Sequence, residues 1–181
     1  YNQDQLSVRV STTAVQGSDA DTYRISTAAG DQASTQNKNY NVTFSDAGQL
    51  TINKRDVTVA GKDATSTYGD VIQLNGYKVT GGSLYNQDQL SVRVSTTAVQ
   101  GSDADTYRIS TAAGDQASTQ NKNYNVTFSD AGQLTINKRD VTVAGKDATS
   151  TYGDVIQLNG YKVTGGSLYN QDQLSVRVST T

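Results

Sequence analysis

The sequence predicts an all-β fold, built as small domains repeated in tandem along an extended rod. Three observations carry this: an internal repeat of 84 residues, a residue set drawn from strand and turn formers, and short runs with apolar residues at every second position. The repeat is read directly. Tyr1-Asn2-Gln3-Asp4-Gln5-Leu6 returns as Tyr85-Asn86-Gln87-Asp88-Gln89-Leu90 and again as Tyr169-Asn170-Gln171-Asp172-Gln173-Leu174, and residues 1–97 and 85–181 are identical. A period of 84 exceeds that of helical solenoids and propeller blades and matches a small autonomous domain.

Composition removes much chemistry. The 181 residues include no Pro, Cys, Met, Trp or His, and no Glu, so all 17 acidic side chains are Asp. Disulfides, thiolate or imidazole zinc sites, iron–sulfur clusters and Ser-His or Cys-His dyads are therefore excluded. Any metal would have to be held by oxygen alone. Thr, Ser, Val, Asp, Gly and Tyr favour strands and turns over helix. With a net charge of -2 and no Lys/Arg cluster longer than a pair, the chain lacks the basic face that a nucleic-acid partner requires. Its apolar runs are too short for membrane insertion within this segment. Lacking an initiator Met and a signal-like start, it reads as an internal stretch of something longer.

Within one repeat, Asn75-Gly76 between Val71-Ile72-Gln73-Leu74 and Tyr77-Lys78-Val79 predicts a hairpin with a type I′ turn. A second hairpin is expected from Tyr40–Phe44 and Gln49–Ile52, with Gly48 in the left-handed position and Tyr40, Val42 and Phe44 sharing a face. Alternation marks Leu90–Val94 and Tyr107–Ile109 as strands, separated by a turn at Gly101–Asp105. A short turn of helix is admitted only within Asp115–Asn121. The join, Gln49–Gly61, is free of Gly and Pro until its end and reads as one long strand or two collinear ones. The inward phase changes there, from Leu50/Ile52 to Val57/Val59, at Lys54-Arg55.

These residues resemble a known family. Val141-Thr142-Val143 followed by Thr151-Tyr152-Gly153-Asp154, with Asp105-Thr106-Tyr107-Arg108-Ile109, Asn123–Phe128 and Gly132–Lys138, is similar to the MBG domain of the YGX type, found in tandem arrays of large bacterial secreted adhesins. Asp105 stands where the family often has Gly. In the family's frame, residues 55–138 are one complete unit, 1–54 the end of a preceding unit and 139–181 the beginning of the next. The resemblance implies β-grasp-like or sandwich-like modules, an extracellular location on the bacterial cell surface and a role in adhesin stalks, with no catalytic residues.

Candidate sites are few. Asp103 and Asp105, with Asp88 and Asp115 elsewhere in the repeat, are candidate calcium ligands, although no EF-hand spacing is present and turns collect Asp because its carboxylate bonds nearby backbone. No other cofactor is expected. Tyr68, Tyr77, Tyr107 and Tyr124 would make a sugar-stacking platform if they shared an exposed face, but Tyr107 and Tyr124 fall in phase with core positions. A Lys–Asn isopeptide bond lacks an identifiable triad. Asn125-Val126-Thr127 is formally a glycosylation acceptor, placed inside an expected strand. No pair of groups with tunable pKa values suggests an enzyme.

The expected function is therefore a stalk or spacer of a surface adhesin, with neighbouring identical repeats as partners; the alternative is a repeat that binds glycan or mucin weakly and gains avidity by copying. Head-to-tail completion of the two partial units is also expected, Tyr1–Thr13 and Tyr169–Thr181 competing for one strand position.

Overall fold

The computed structural model describes residues 4–180, so Tyr1–Gln3 and Thr181 of the two competing termini lie outside the described residues. In chain order the elements are β1 (Val8–Thr12), β2 (Thr22–Ala29), α1 (Ala33–Gln36), β3 (Gly48–Thr51), β4 (Arg55–Gly61), β5 (Ala64–Thr67), β6 (Tyr77–Gly82), β7 (Val92–Thr96), β8 (Thr106–Ala113), α2 (Ala117–Gln120), β9 (Tyr124–Ser129), β10 (Gly132–Asn137), β11 (Thr142–Gly145) and β12 (Tyr161–Gly165). The fold is all-β, with a short helical turn inside Asp115–Asn121 as expected and its copy 84 residues earlier at Ala33–Gln36.

The described residues form four sheets, ordered β1-β2-β3, β6-β4-β9, β5-β10-β8-β7 and β11-β12. The four-stranded sheet is mixed: β10 runs parallel to β5, pairing Leu134 with Ala64, and antiparallel to β8, pairing Leu134 with Tyr107. The chain divides into two compact units. The first comprises the chain up to Val57 with Gly81–Ser91 and Gly114–Thr127; the second comprises Thr58–Thr80, Val92–Ala113 and the chain from Phe128 onward.

In the second unit, alternation on β8 and β10 drives Ile109, Leu134 and Ile136 inward to join Ala64 and Ala98, with Tyr68, Ile72, Leu74, Val94 and Tyr107 packed around them. The end of β4 crosses this core so closely that glycine is required. A Cβ on Gly61 would strike Ile109 Cγ2, and one on Gly132 would meet the Gly61 carbonyl oxygen at 2.6 Å. In the first unit Val57, Leu90 and Tyr124 are buried. There Asn121 acts as a side-chain strand partner: its Oδ1 accepts from the Ser91 N–H at 2.8 Å and its Nδ2 donates to the Ser91 carbonyl at 3.1 Å. Asn37 repeats the clamp on Ser7. Both amides are buried and satisfied, as burial of a polar group demands.

Three local expectations are corrected. Val71–Leu74 forms no strand, and only Gly76, not Asn75, has positive φ. Ile72 and Leu74 are drawn onto the core, and Asn75-Gly76 closes a loop instead: the Gly76 carbonyl accepts from Lys62 N–H at 2.8 Å and Asn75 Nδ2 donates to the Asp63 carbonyl at 3.1 Å. Burial outweighs the local turn signal. The second hairpin also fails. β9 belongs with β4 and β10 with β8 and β5, so the chain changes sheet at Asp130-Ala131, and neither Gly48 nor Gly132 is left-handed. Residues 41–47, the copy of this segment in the preceding repeat, form no strand. Lastly, of the two forms expected of the join, the single long strand is ruled out and two strands remain: residues 52–54 separate β3 from β4, and residues 138–141 separate β10 from β11. The expected change of phase from Leu50/Ile52 to Val57/Val59 is met on one side only: Val57 and Val59 are buried, but Leu50 is exposed and Ile52 half-buried.

Candidate functional site

The repeated Tyr-Asn-Gln-Asp segment folds into a tight turn. In the first unit Asn86 and Gln87 take φ of 45° and 63°, and the Asp88 N–H closes the turn on the Tyr85 carbonyl at 2.9 Å. In the second unit Asn170 and Gln171 take 45° and 64°, and Asp172 closes on Tyr169 at 2.9 Å. Two consecutive left-handed residues over an i to i+3 bond define a type I′ geometry. Asn tolerates that region, but Gln does so only at a cost of about 1–2 kcal/mol. The strained turn presents a tyrosine and an aspartate together at Tyr85–Asp88 and again at Tyr169–Asp172.

In the first unit this turn lines an open groove of about 720 Å³, whose walls include Gly17, Asp19, Arg55, Tyr85, Asp88 and Lys122. Asp88 is held by Tyr124, whose hydroxyl donates to Oδ2 at 2.5 Å and accepts from the Tyr85 N–H at 2.9 Å. Burial, followed by this bond to the carboxylate, raises the Tyr124 pKa. Tyr40 donates its hydroxyl to Asp4 in the same way. Opposite lies a clasp: Lys122 Nζ donates to Asp19 Oδ2 at 2.7 Å, Asn123 Nδ2 donates to Asp19 Oδ1 at 2.9 Å, and Asn123 Oδ1 accepts from the Ala20 N–H at 2.8 Å. The Lys122 and Asn123 hydrogen bonds lower the Asp19 pKa, and Asp19 raises that of Lys122. Tyr85 packs over Gly17, 3.6 Å from where a Cβ would stand, and remains 38% exposed.

In the second unit the Tyr169 ring sits in a notch formed by Tyr68, Gly69 and Gly101. The Tyr68 and Tyr169 rings meet edge to face, centroids 5.5 Å apart. A Cβ on Gly69 would lie 2.6 Å from Tyr169 Cγ, and one on Gly101 would lie 3.1 Å from Cε1. Both glycines are left-handed, with φ of 87° and 91°. Gln100 Nε2 donates to the Gly69 carbonyl at 2.9 Å, fixing the loop. Arg139 Nε donates to the Tyr68 carbonyl at 2.8 Å, and its Nη2 pairs with Asp70. The Tyr68 hydroxyl bonds to Asp172, which raises the Tyr68 pKa.

The candidate residues fall out as follows. Tyr124 is buried, and Tyr68 and Tyr107 pack against the core, so they make no shared exposed platform. Tyr77 is half-buried at the start of β6. Asp105 accepts from the Thr106 N–H at 2.7 Å, the turn role. The Asp103 carbonyl accepts from the Tyr107 hydroxyl at 3.0 Å. Among the described residues no three acidic side chains converge as a metal site. Asn125 lies in β9 and donates to Asp56 Oδ1 at 2.8 Å. The sequence reading missed the Tyr85 turn, the Asp19 clasp and the Arg139–Asp70 pair. Periodicity at Tyr-Asn-Gln-Asp was the only signal for the first, and nothing local joins Asp19 to a lysine 103 residues away.

Fold and contacts together define an all-β chain in which a repeated turn brings tyrosine, aspartate, arginine and glycine together. The family model of the MBG domain (YGX type) matches residues 57–135, so that stretch is similar to an adhesin-like repeat module. No curated protein and no solved structure matches the chain.

Proposed function

We propose that this chain is a spacer of a bacterial cell-surface adhesin, extracellular in its setting, that holds a distal adhesive region away from the cell. The observation that supports this is recurrence at the repeat period: Tyr85 packs on Gly17 in the first unit and Tyr169 on Gly101 in the second. Adding a copy therefore adds length using contacts already encoded, with no new residue. A catalytic or cofactor site would gain nothing from identical copying. The test is to display arrays of increasing copy number beneath one fixed adhesive domain on a bacterial surface. Reach measured by force microscopy rises with copy number; a reach independent of it would refute the reading.

A second reading rests on the first-unit groove, where the exposed Tyr85 lies beside Asn86, Asp88 and Gln89, groups able to stack on a sugar and bond its hydroxyls. A glycan and mucin array probed with the whole chain decides it, and reproducible saturable hits would place binding ahead of spacing.

A further inference from the structure

The edge-to-face pair of Tyr68 and Tyr169 joins residues that stand more than one full period of 84 residues apart. Wherever a repeat is taken to begin, the two rings therefore belong to successive copies. The same holds for Gly69, against which the Tyr169 ring lies.

The loop Tyr68-Gly69-Asp70 is first fixed from its own side. Tyr68 packs against the core that Ile109 and Leu134 fill, and its N–H donates to the Asn137 carbonyl at 2.9 Å, just beyond the pairing of β5 with β10. Gln100 Nε2 holds the Gly69 carbonyl at 2.9 Å. The loop is thus an extension of the four-stranded sheet, set before anything docks on it.

Two side chains then close on the loop from either end of the β11–β12 pair. Arg139, ahead of β11, donates Nε to the Tyr68 carbonyl at 2.8 Å and pairs Nη2 with Asp70. Tyr169, after β12, covers Tyr68 and the buried Gly69. A carbonyl and a carboxylate held by one side chain call for the fixed fork of a guanidinium, which a lysine ammonium does not offer. Gly69 is required twice, for its φ of 87° and because a Cβ would stand 2.6 Å from Tyr169 Cγ. Among the described residues β11 pairs with β12 alone, and a two-stranded sheet is marginal in water unless it packs on something.

We propose that the Tyr68-Gly69-Asp70 loop is the seat on which the following repeat docks, and that this contact couples the stability of successive copies. The β11–β12 pair draws part of its order from the copy before it. The partner is defined chemically, as a following segment that offers a guanidinium ahead of its first strand and a tyrosine after its second; identical copying supplies both at the repeat period. The inference does not depend on the spacer role, since it concerns stability passed along the chain and not reach.

Hydrogen exchange of the full chain, resolved by peptide, tests it with substitutions on the seat that are read in strands carrying no substitution. Gly69→Ala speeds exchange across Thr142–Gly145 and Tyr161–Gly165 by about tenfold, and Asp70→Asn by about threefold, while β8 and β10 change by less than about twofold. Gly76→Ala is the control: it carries the same positive-φ strain, with nothing within 4 Å of the added Cβ, and leaves β11 and β12 at wild-type rates. If Gly69→Ala also loosens β8 and β10, Asp70→Asn decides alone, because Asp70 is exposed and its amide keeps the shape. The proposal is overturned if Asp70→Asn leaves β11 and β12 unchanged or loosens β8 and β10 to the same degree, if a folded Gly69→Ala leaves β11 and β12 unchanged, or if Gly76→Ala loosens them equally. The spacer role is judged separately, by reach against copy number.

Discussion

The Tyr124 hydroxyl bridges Asp88 and the Tyr85 backbone, donating to the carboxylate at 2.5 Å and accepting from the N–H at 2.9 Å. A buried side chain of β9 thereby fixes both ends of the strained turn that lines the groove. Tyr124→Phe keeps the ring and deletes the bridge, so it should destabilise the chain by about 1–3 kcal/mol, the cost of leaving buried partners unsatisfied. Urea denaturation of the pair of proteins measures this; an unchanged midpoint would show the bridge to be energetically idle.

Leu134 and Ile109 are fully buried on neighbouring strands of the mixed sheet. Leu134→Ala should cost about 2–5 kcal/mol, combining lost burial and a cavity. In contrast Val71→Ala, at a site 62% exposed, should stay within about 0.5 kcal/mol. Thermal unfolding of the two variants reads the difference.

Much of this core was legible. The inward side of Val57 and Val59, the β7 and β8 strands, the intervening turn and the short α2 all follow from local periodicity and turn chemistry, which act over a few residues. What escaped depends on partners far along the chain. Asn75-Gly76 carries a hairpin signal, yet Ile72 and Leu74 find the core more favourable than a ladder. β9 and β10 are separated by two residues and still enter different sheets, because Gly132 and Gly61 let two backbones nearly touch. Gln87 at positive φ is disfavoured locally and has no sequence signature at all.

Gly132→Ala should be among the most damaging single-atom additions. The new Cβ would stand 2.6 Å from a backbone oxygen of Gly61, which no rotamer change can relieve. Gly76→Ala meets nothing within 4 Å, so its cost is confined to the positive φ, about 1–2 kcal/mol. Circular dichroism melts of the two should rank Gly132→Ala as much the less stable, and the reverse order would refute the close approach.

Stability should fall at both extremes of pH. Asp19 and Asp63 have lowered pKa values, from the Lys122 and Asn123 hydrogen bonds and from the Gln133 N–H and Lys78 respectively. A lowered acid pKa contributes stability above its unfolded value that is lost as pH falls through the folded value, hence below about pH 4. Tyr68 and Tyr124 have raised values, so their contribution is complete below about pH 10 and is lost as pH rises beyond it. Melting temperatures across the range should form a plateau with two falling limbs, and Asp19→Asn should flatten the acid limb.

The central claim of the proposed spacer role is that length is set by copy number. Small-angle scattering of purified arrays with two, four and eight repeats measures it most directly. The account predicts a maximum dimension that grows by a constant increment per repeat, because the Tyr–Gly packing recurs at the repeat period. A dimension growing with the square root of copy number, as for flexibly linked beads, would contradict it.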